Sequence, residues 1–263
     1  MAIKTMMLFA ITAAICLAIC GCQQYTTPGG PARMSIFSSV PAESMIATTP
    51  GGGVKVPAPE QTDIEIEHRE PLANFPANIV YVRVQEPGYK SYTTEGKGTG
   101  TFSVVFTRDV EEEEDWQRLN RLVDVAQVGP LSRLLVPEYL QSEKDLRTAA
   151  ARLNADMLLI YTLDTTFMDR DNSVGLTVIT LGLGPTINVR VTCTVSALLL
   201  DTRSGYTYGV IEETAVVEKN TSALSTKNAM DNMRLDVERQ AFEQFIDEFE
   251  MLWKNVAQQY DRK

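Results

Sequence analysis

The stretch SEKDLRTAAARLNADMLLIY, residues 142–161, decides how this chain folds. Ser142 followed by Asp145 is an N-cap signal. Leu146, Ala149, Ala150 and Leu153 then recur at helical spacing, and Asn154 closes the helix. An apolar strand over residues 155–167 follows at once, centred on Met157, Leu158, Leu159, Ile160 and Tyr161. Helix, tight turn and strand in direct succession set a helix on a sheet.

Working towards the N-terminus, residues 79–84 are β-branched and short, and read as a buried strand. A turn-rich stretch over 86–98 leads to a second strand at 100–106. Asp109 with Glu112 has capping-box spacing, and the acidic run 111–115 suits the positive end of a helix dipole. Trp116 and Leu119 are the buried face of that short helix. Residues 122–128 largely alternate and predict a strand ending at Gly129 and Pro130.

Towards the C-terminus, residues 176–181 read as a strand running into a turn at 182–185. Residues 187–200 alternate, with Ile187, Val189, Val191, Cys193, Val195, Ala197 and Leu199 on one face. Residues 201–205 are a turn, and 206–217 return as the hairpin partner. Met230, Met233, Val237, Ala241, Phe245, Phe249, Leu252 and Val256 then form one stripe of a long C-terminal helix, flanked by Phe242, Ile246 and Trp253. The expected fold class is α/β of the mixed α+β kind. It has a mixed β-sheet with antiparallel hairpins, helices packed on it and a long C-terminal helix.

Residues 153–161 are similar to the helix, Gly-Ala-Asp, apolar-strand signature of the curli-secretion lipoprotein superfamily. That group includes the lipoprotein activators of penicillin-binding proteins. Residues 197–205 resemble the strand of that group ending in Asp-x-(Arg/Lys)-(Thr/Ser)-Gly. The likeness spans residues 79–256, with Asn154 standing where Gly is usual. It implies a periplasmic interaction domain.

The N-terminus carries a separate signal. A short head holding only Lys4 precedes an apolar run over residues 8–21, which is the layout of a secretory leader. The run falls short of the roughly 20 apolar residues a membrane span needs. Ile19, Cys20, Gly21 and Cys22 resemble the lipobox of bacterial lipoproteins. That resemblance implies cleavage between Gly21 and Cys22, a diacylglyceryl thioether on Cys22 and acylation of the new amino terminus. Gln23 implies sorting to the outer membrane, with the domain facing the periplasm. The expected organisation is a leader at 1–21, a lipidated Cys22 with a disordered tether through 76, and a globular domain over 77–263.

Residues 23–76 hold eight of the twelve prolines and the run Pro50, Gly51, Gly52, Gly53. No period of 2 or 3.6 persists there, which argues against a packed core. A flexible coil of that length reaches about 40 Å root-mean-square. Within it, residues 63–67 alternate and suggest an edge strand.

Loss of the leader takes the net charge from −10 to −11. An acidic chain is repelled by phosphate backbones and anionic lipid, so no nucleic-acid partner is expected and membrane attachment falls to the acyl chains. Of the four cysteines, only Cys193 remains free in the mature chain. An exported chain with one thiol has no internal disulfide framework.

Candidate chemistry is sparse. His68, the only histidine, sits beside the tether without a visible scaffold to orient it. One histidine and one free cysteine assemble none of the usual zinc ligand sets. Cys193, mid-strand among valines, reads as a small buried hydrophobe. Residues 96–100 are glycine-rich but lack P-loop spacing and precede a strand, which favours a turn. Residues 169–173 lack the closing Glu of a calcium loop. No cofactor, metal or enzymatic activity is expected. The chain reads as a non-catalytic accessory module for another envelope protein. The alternative is a homo-oligomeric export component resembling the curli channel, with residues 86–98 and 174–185 as the inserting segments. A hydrolase using Asp156, Asp164 and Asp201 is the weaker option, because turn chemistry explains Asp156 and Asp201.

Overall fold

β1 (Ala77–Gln85) organises the sheet, because its residues face two different cores in alternation. A computed structural model of the chain describes residues 69–90, 93–169, 186–222 and 226–260. After β1 come β2 (Gly96–Lys97), β3 (Thr99–Gly100), β4 (Ser103–Val105), α1 (Glu113–Asn120), β5 (Val125–Pro130) and β6 (Tyr139–Leu140). Then follow α2 (Glu143–Ala151), β7 (Met157–Asp169), β8 (Thr186–Asp201), β9 (Thr207–Ser222) and α3 (Thr226–Tyr260).

Among the described residues seven strands form one sheet in the order β2-β4-β1-β7-β8-β9, with β5 also paired to β1. The β1–β7 and β1–β5 pairs are parallel, and β7, β8 and β9 make an antiparallel meander. The α+β class with a mixed sheet and a long C-terminal helix is therefore observed. β3 leaves the main sheet to pair with β6. The strand expected over 100–106 is thus broken in two. Gly100 takes φ of 117°, a conformation closed to most side chains, and the chain bends there.

Period-2 alternation splits the core between the two faces. Ile79, Tyr81, Met157, Leu159, Tyr161 and the valines of β8 meet α1 and α3. Val80, Val82, Val84, Leu158 and Ile160 meet Leu146, Ala149 and Ala150 of α2. α3 supplies the larger core: Val237, Ala241, Phe242, Phe245, Ile246 and Phe249 are fully buried. The capping box at Ser142 and Asp145 forms as expected, and Asn154 adopts φ of 54°. Leu153, expected on the buried face, is 40% exposed. The helix has ended by then, so the 3.6-residue period no longer fixes its direction. The expected strand over 122–128 starts only at Val125, after Asp124 with φ of 63°. No helix among the described residues is long and apolar enough to cross a membrane.

Candidate functional site

Two of the three carboxylates singled out in the sequence meet at one end of the sheet. Asp201 ends β8 in register with Met157, and Asp156 sits just before β7, so the two are neighbours across the pair. Both are used to hold the chain that leads in from the N-terminus. The Leu72 amide donates to Asp201 Oδ2 at 2.6 Å, and the Ala73 amide donates to the Tyr208 hydroxyl at 3.2 Å. Asn74 donates to Asp156 Oδ1 from its amide at 3.3 Å and from its side chain at 3.0 Å. Asn78 does the same to Asp156 Oδ2, at 3.0 and 3.3 Å. Phe75 lies 5.9 Å from Trp253, and Arg69 donates to the Gly205 carbonyl at 3.1 Å. Residues 69–76, at the end of the stretch assigned to the tether, form a strap along the domain.

Asp201 also orders its own turn, accepting from the amides of Arg203 and Ser204 at 2.9 Å each and from the Tyr208 hydroxyl at 3.0 Å. Burial alone raises a carboxyl's pKa, but the Ser204 and Leu72 amides, the Tyr208 hydroxyl and the Arg203 amide together hold Asp201 below the usual aspartate value. Asp164 is not part of this corner. It lies eight residues further along the strand, about 26 Å away, and burial raises its carboxyl. The three aspartates do not converge.

A second polar cluster, missed in the sequence, lies between β1 and α3. Arg83 donates to Asp109 at 2.9 Å and to Glu111 at 3.3 Å. Arg234, 1% exposed on the apolar stripe of α3, donates to Glu238 at 2.7 Å and to Asp231 at 3.0 Å. The Arg234 guanidinium also reaches Thr93 at 2.7 Å. The Tyr161 hydroxyl donates to Glu111 at 2.9 Å, and Thr165 donates to Glu238 at 2.8 Å. Burial raises Glu238 against the pull of Arg83 and Arg234, while at Asp109 Arg83, Thr93 and Arg234 outweigh burial and lower the carboxyl. Asp109 is therefore occupied and does not cap α1. The capping box moves three residues on, to Glu112 and Asp115. The sequence signal was a lone Arg in a buried strand and another in an apolar stripe.

No family model and no curated protein matches the chain. Among solved structures, a candidate lipoprotein from Caulobacter crescentus aligns at 14% identity and TM-score 0.25, covering 44% of this chain and 80% of that one. A PelC dodecamer from Paraburkholderia phytofirmans aligns at 12% identity and TM-score 0.21, covering 66% of this chain and 89% of that one. A second crystal form of PelC gives 11% identity and TM-score 0.20.

The other residues singled out in the sequence fall as follows. Gly21, Cys22, His68, residues 63–67 and residues 174–185 lie outside the described residues. Cys193 is fully buried, and burial next to Glu238 pushes its thiol up to about 12, too high for a nucleophile at neutral pH. Gly98 and Gly100 carry positive φ where β3 leaves β2, which is turn chemistry. In the acidic run, Glu111 is buried against Tyr161, Glu112 caps α1, and Asp115 accepts from Arg239.

Proposed function

We propose that this chain is a bacterial lipoprotein, anchored through acylated Cys22, whose α+β domain serves as a non-catalytic interaction module for another envelope protein. The observation that carries this reading is the strap. Asp156, Asp201 and Tyr208 fix residues 72–74 to one end of the sheet. The chain coming from Cys22 therefore joins the domain at a defined corner. A domain held this way presents its remaining surface to a partner within tether reach, at raised effective concentration. The strand-end carboxylates, which a hydrolase would need free, are occupied by amide and hydroxyl donors.

In-cell crosslinking followed by mass spectrometry tests this. We expect one envelope protein to be recovered, with a yield that falls when residues 30–60 are deleted or when Cys22→Ala removes the anchor. Unchanged yield in both variants would contradict an anchored module. A second reading, lateral self-assembly as in an export ring, is favoured by β9, whose outer edge has no partner among the described strands. Detergent-extracted protein that sediments only as a monomer rules against it.

A further inference from the structure

Val82 marks the point where the outer edge of β1 changes partner. Up to Tyr81 that edge is held by β5 in parallel, ending with Tyr81 opposite Pro130 and the Leu131 amide donating to the Tyr81 carbonyl at 2.9 Å. From Arg83 onward it is held by β4, antiparallel, with Arg83 opposite Val105. The two strands approach Val82 head-on, so both chains must leave the edge there. After β4 the chain turns to the face of α1 and α3, where Val110 joins the core. After β5 it turns to the opposite face, where Leu131 and Val136 are buried with α2. A gap between segments that part to opposite faces is where open α/β sheets accept ligands. Here it is a crevice of about 280 Å³. That lies at the small end of ligand pockets, which run from about 300 to 1,000 Å³.

The lining has a distinct chemistry. Val82, Val105, Phe106 and Leu131 give apolar walls, and the buried trio Arg83, Glu111 and Tyr161 closes the floor. Arg108 and Arg133 stand in the lining together with Thr107 and Ser132. The Arg108 guanidinium lies 5.4 Å from the Tyr81 ring centroid. Its ion pair to Glu113, at 3.4 Å, is exposed and therefore weak. Among the described residues the Arg133 side chain makes no ion pair, while Lys97 donates to its carbonyl at 3.1 Å. The crevice thus carries three guanidiniums and one carboxylate, in a chain whose net charge is −10.

We propose that this crevice binds a small organic carboxylate. Arg108 and Arg133 supply forked donors to the carboxylate, and the apolar body of the ligand lies against Val82, Val105, Phe106 and Leu131. Glu111, committed to Tyr161 and Arg83, repels an anion from the floor and keeps the carboxylate at the arginines. Ligand and fold do not compete here, since Arg83 is already paired and neither Arg108 nor Arg133 holds the core together.

The test is nuclear magnetic resonance titration of the detergent-solubilised full chain with benzoate, with benzyl alcohol and inorganic phosphate as comparison probes. Benzoate is expected to give saturable shifts confined to residues 81–83, 105–108 and 130–133. Benzyl alcohol should bind much more weakly, because it lacks the charge. Arg133→Gln should lower benzoate affinity about tenfold or more, the usual loss of one charge-assisted contact, with Arg108→Gln doing the same. Absence of saturable shifts, shifts mapping elsewhere, or benzoate affinity unchanged from the wild-type chain in both variants would overturn the proposal. Phosphate binding as tightly as benzoate would overturn it too, by showing that the apolar walls play no part.

Discussion

Asp201→Asn removes one charge and one acceptor from the strap at constant volume. Asp201 is fully buried, with Oδ1 taken by the Arg203 and Ser204 amides and Oδ2 by the Leu72 amide and the Tyr208 hydroxyl. An asparagine best preserves the turn by keeping its oxygen on Arg203 and Ser204. Its NH2 group then faces the Leu72 N–H. Tyr208 can rotate its hydroxyl to accept, but the Leu72 amide cannot, so donor meets donor. Hydrogen bonds to charged groups contribute about 1.5–3 kcal/mol each, so strap docking should weaken by about 2–4 kcal/mol. Local opening would then rise roughly thirtyfold to a thousandfold. Native-state hydrogen exchange at Leu72 and Ala73 reads this directly, with amides in the middle of β7 and β8 changing far less. Unchanged exchange at Leu72 would show that Asp201 does not hold the strap. A uniform rise across the whole sheet would count equally against that role, by showing that Asp201 supports the fold at large.

Three further outcomes follow from the same geometry. Asp201 and Asp109 are held below the usual aspartate value, so their contribution is present above the unfolded value near 3.9 and is lost as pH falls through the lower folded value. Glu238, raised by burial, has the opposite sign and relieves a little strain over its own range. Denaturant midpoints should therefore drop at acid pH, less steeply in Asp201→Asn; identical slopes would contradict the assignment. Arg234→Met removes the closest cation from buried Glu238 and the partner of half-buried Asp231, and should cost about 3–5 kcal/mol in urea unfolding, whereas a loss of under about 1 kcal/mol would make the cluster no better than a surface pair. Gly100→Ala would set a Cβ 2.1 Å from the Leu140 carbonyl oxygen at positive φ, so it should lower Tm and loosen the β3–β6 pair, and an unchanged Tm would count against that bend.

Much of the fold was readable because its signals are local. The cap at Ser142, the left-handed Asn154, the alternation of β8 and the stripe of α3 each depend on residues a few positions apart, and each appears where the periodicity put it. What failed depended on distant partners. Asp109 has the spacing of a cap, but Arg83 and Arg234 claim it from other elements. The break at Gly100 needs β6, some forty residues on, to give β3 its partner. The strap was hidden by its composition: Pro71 and Pro76 mark it as tether, and only Asp156 and Asp201, far along the chain, make its amides hold. The crevice at Val82 arises from two strands meeting on one edge, which no linear pattern encodes.

The proposed anchoring depends on Cys22, and mass spectrometry of the N-terminal peptide from membrane-extracted protein decides it. A mature chain beginning at Cys22, its sulfur carrying a diacylglyceryl group and its amine acylated, is the predicted result. An unmodified Cys22 within a chain that still retains residues 1–21, or a first residue elsewhere, would contradict it.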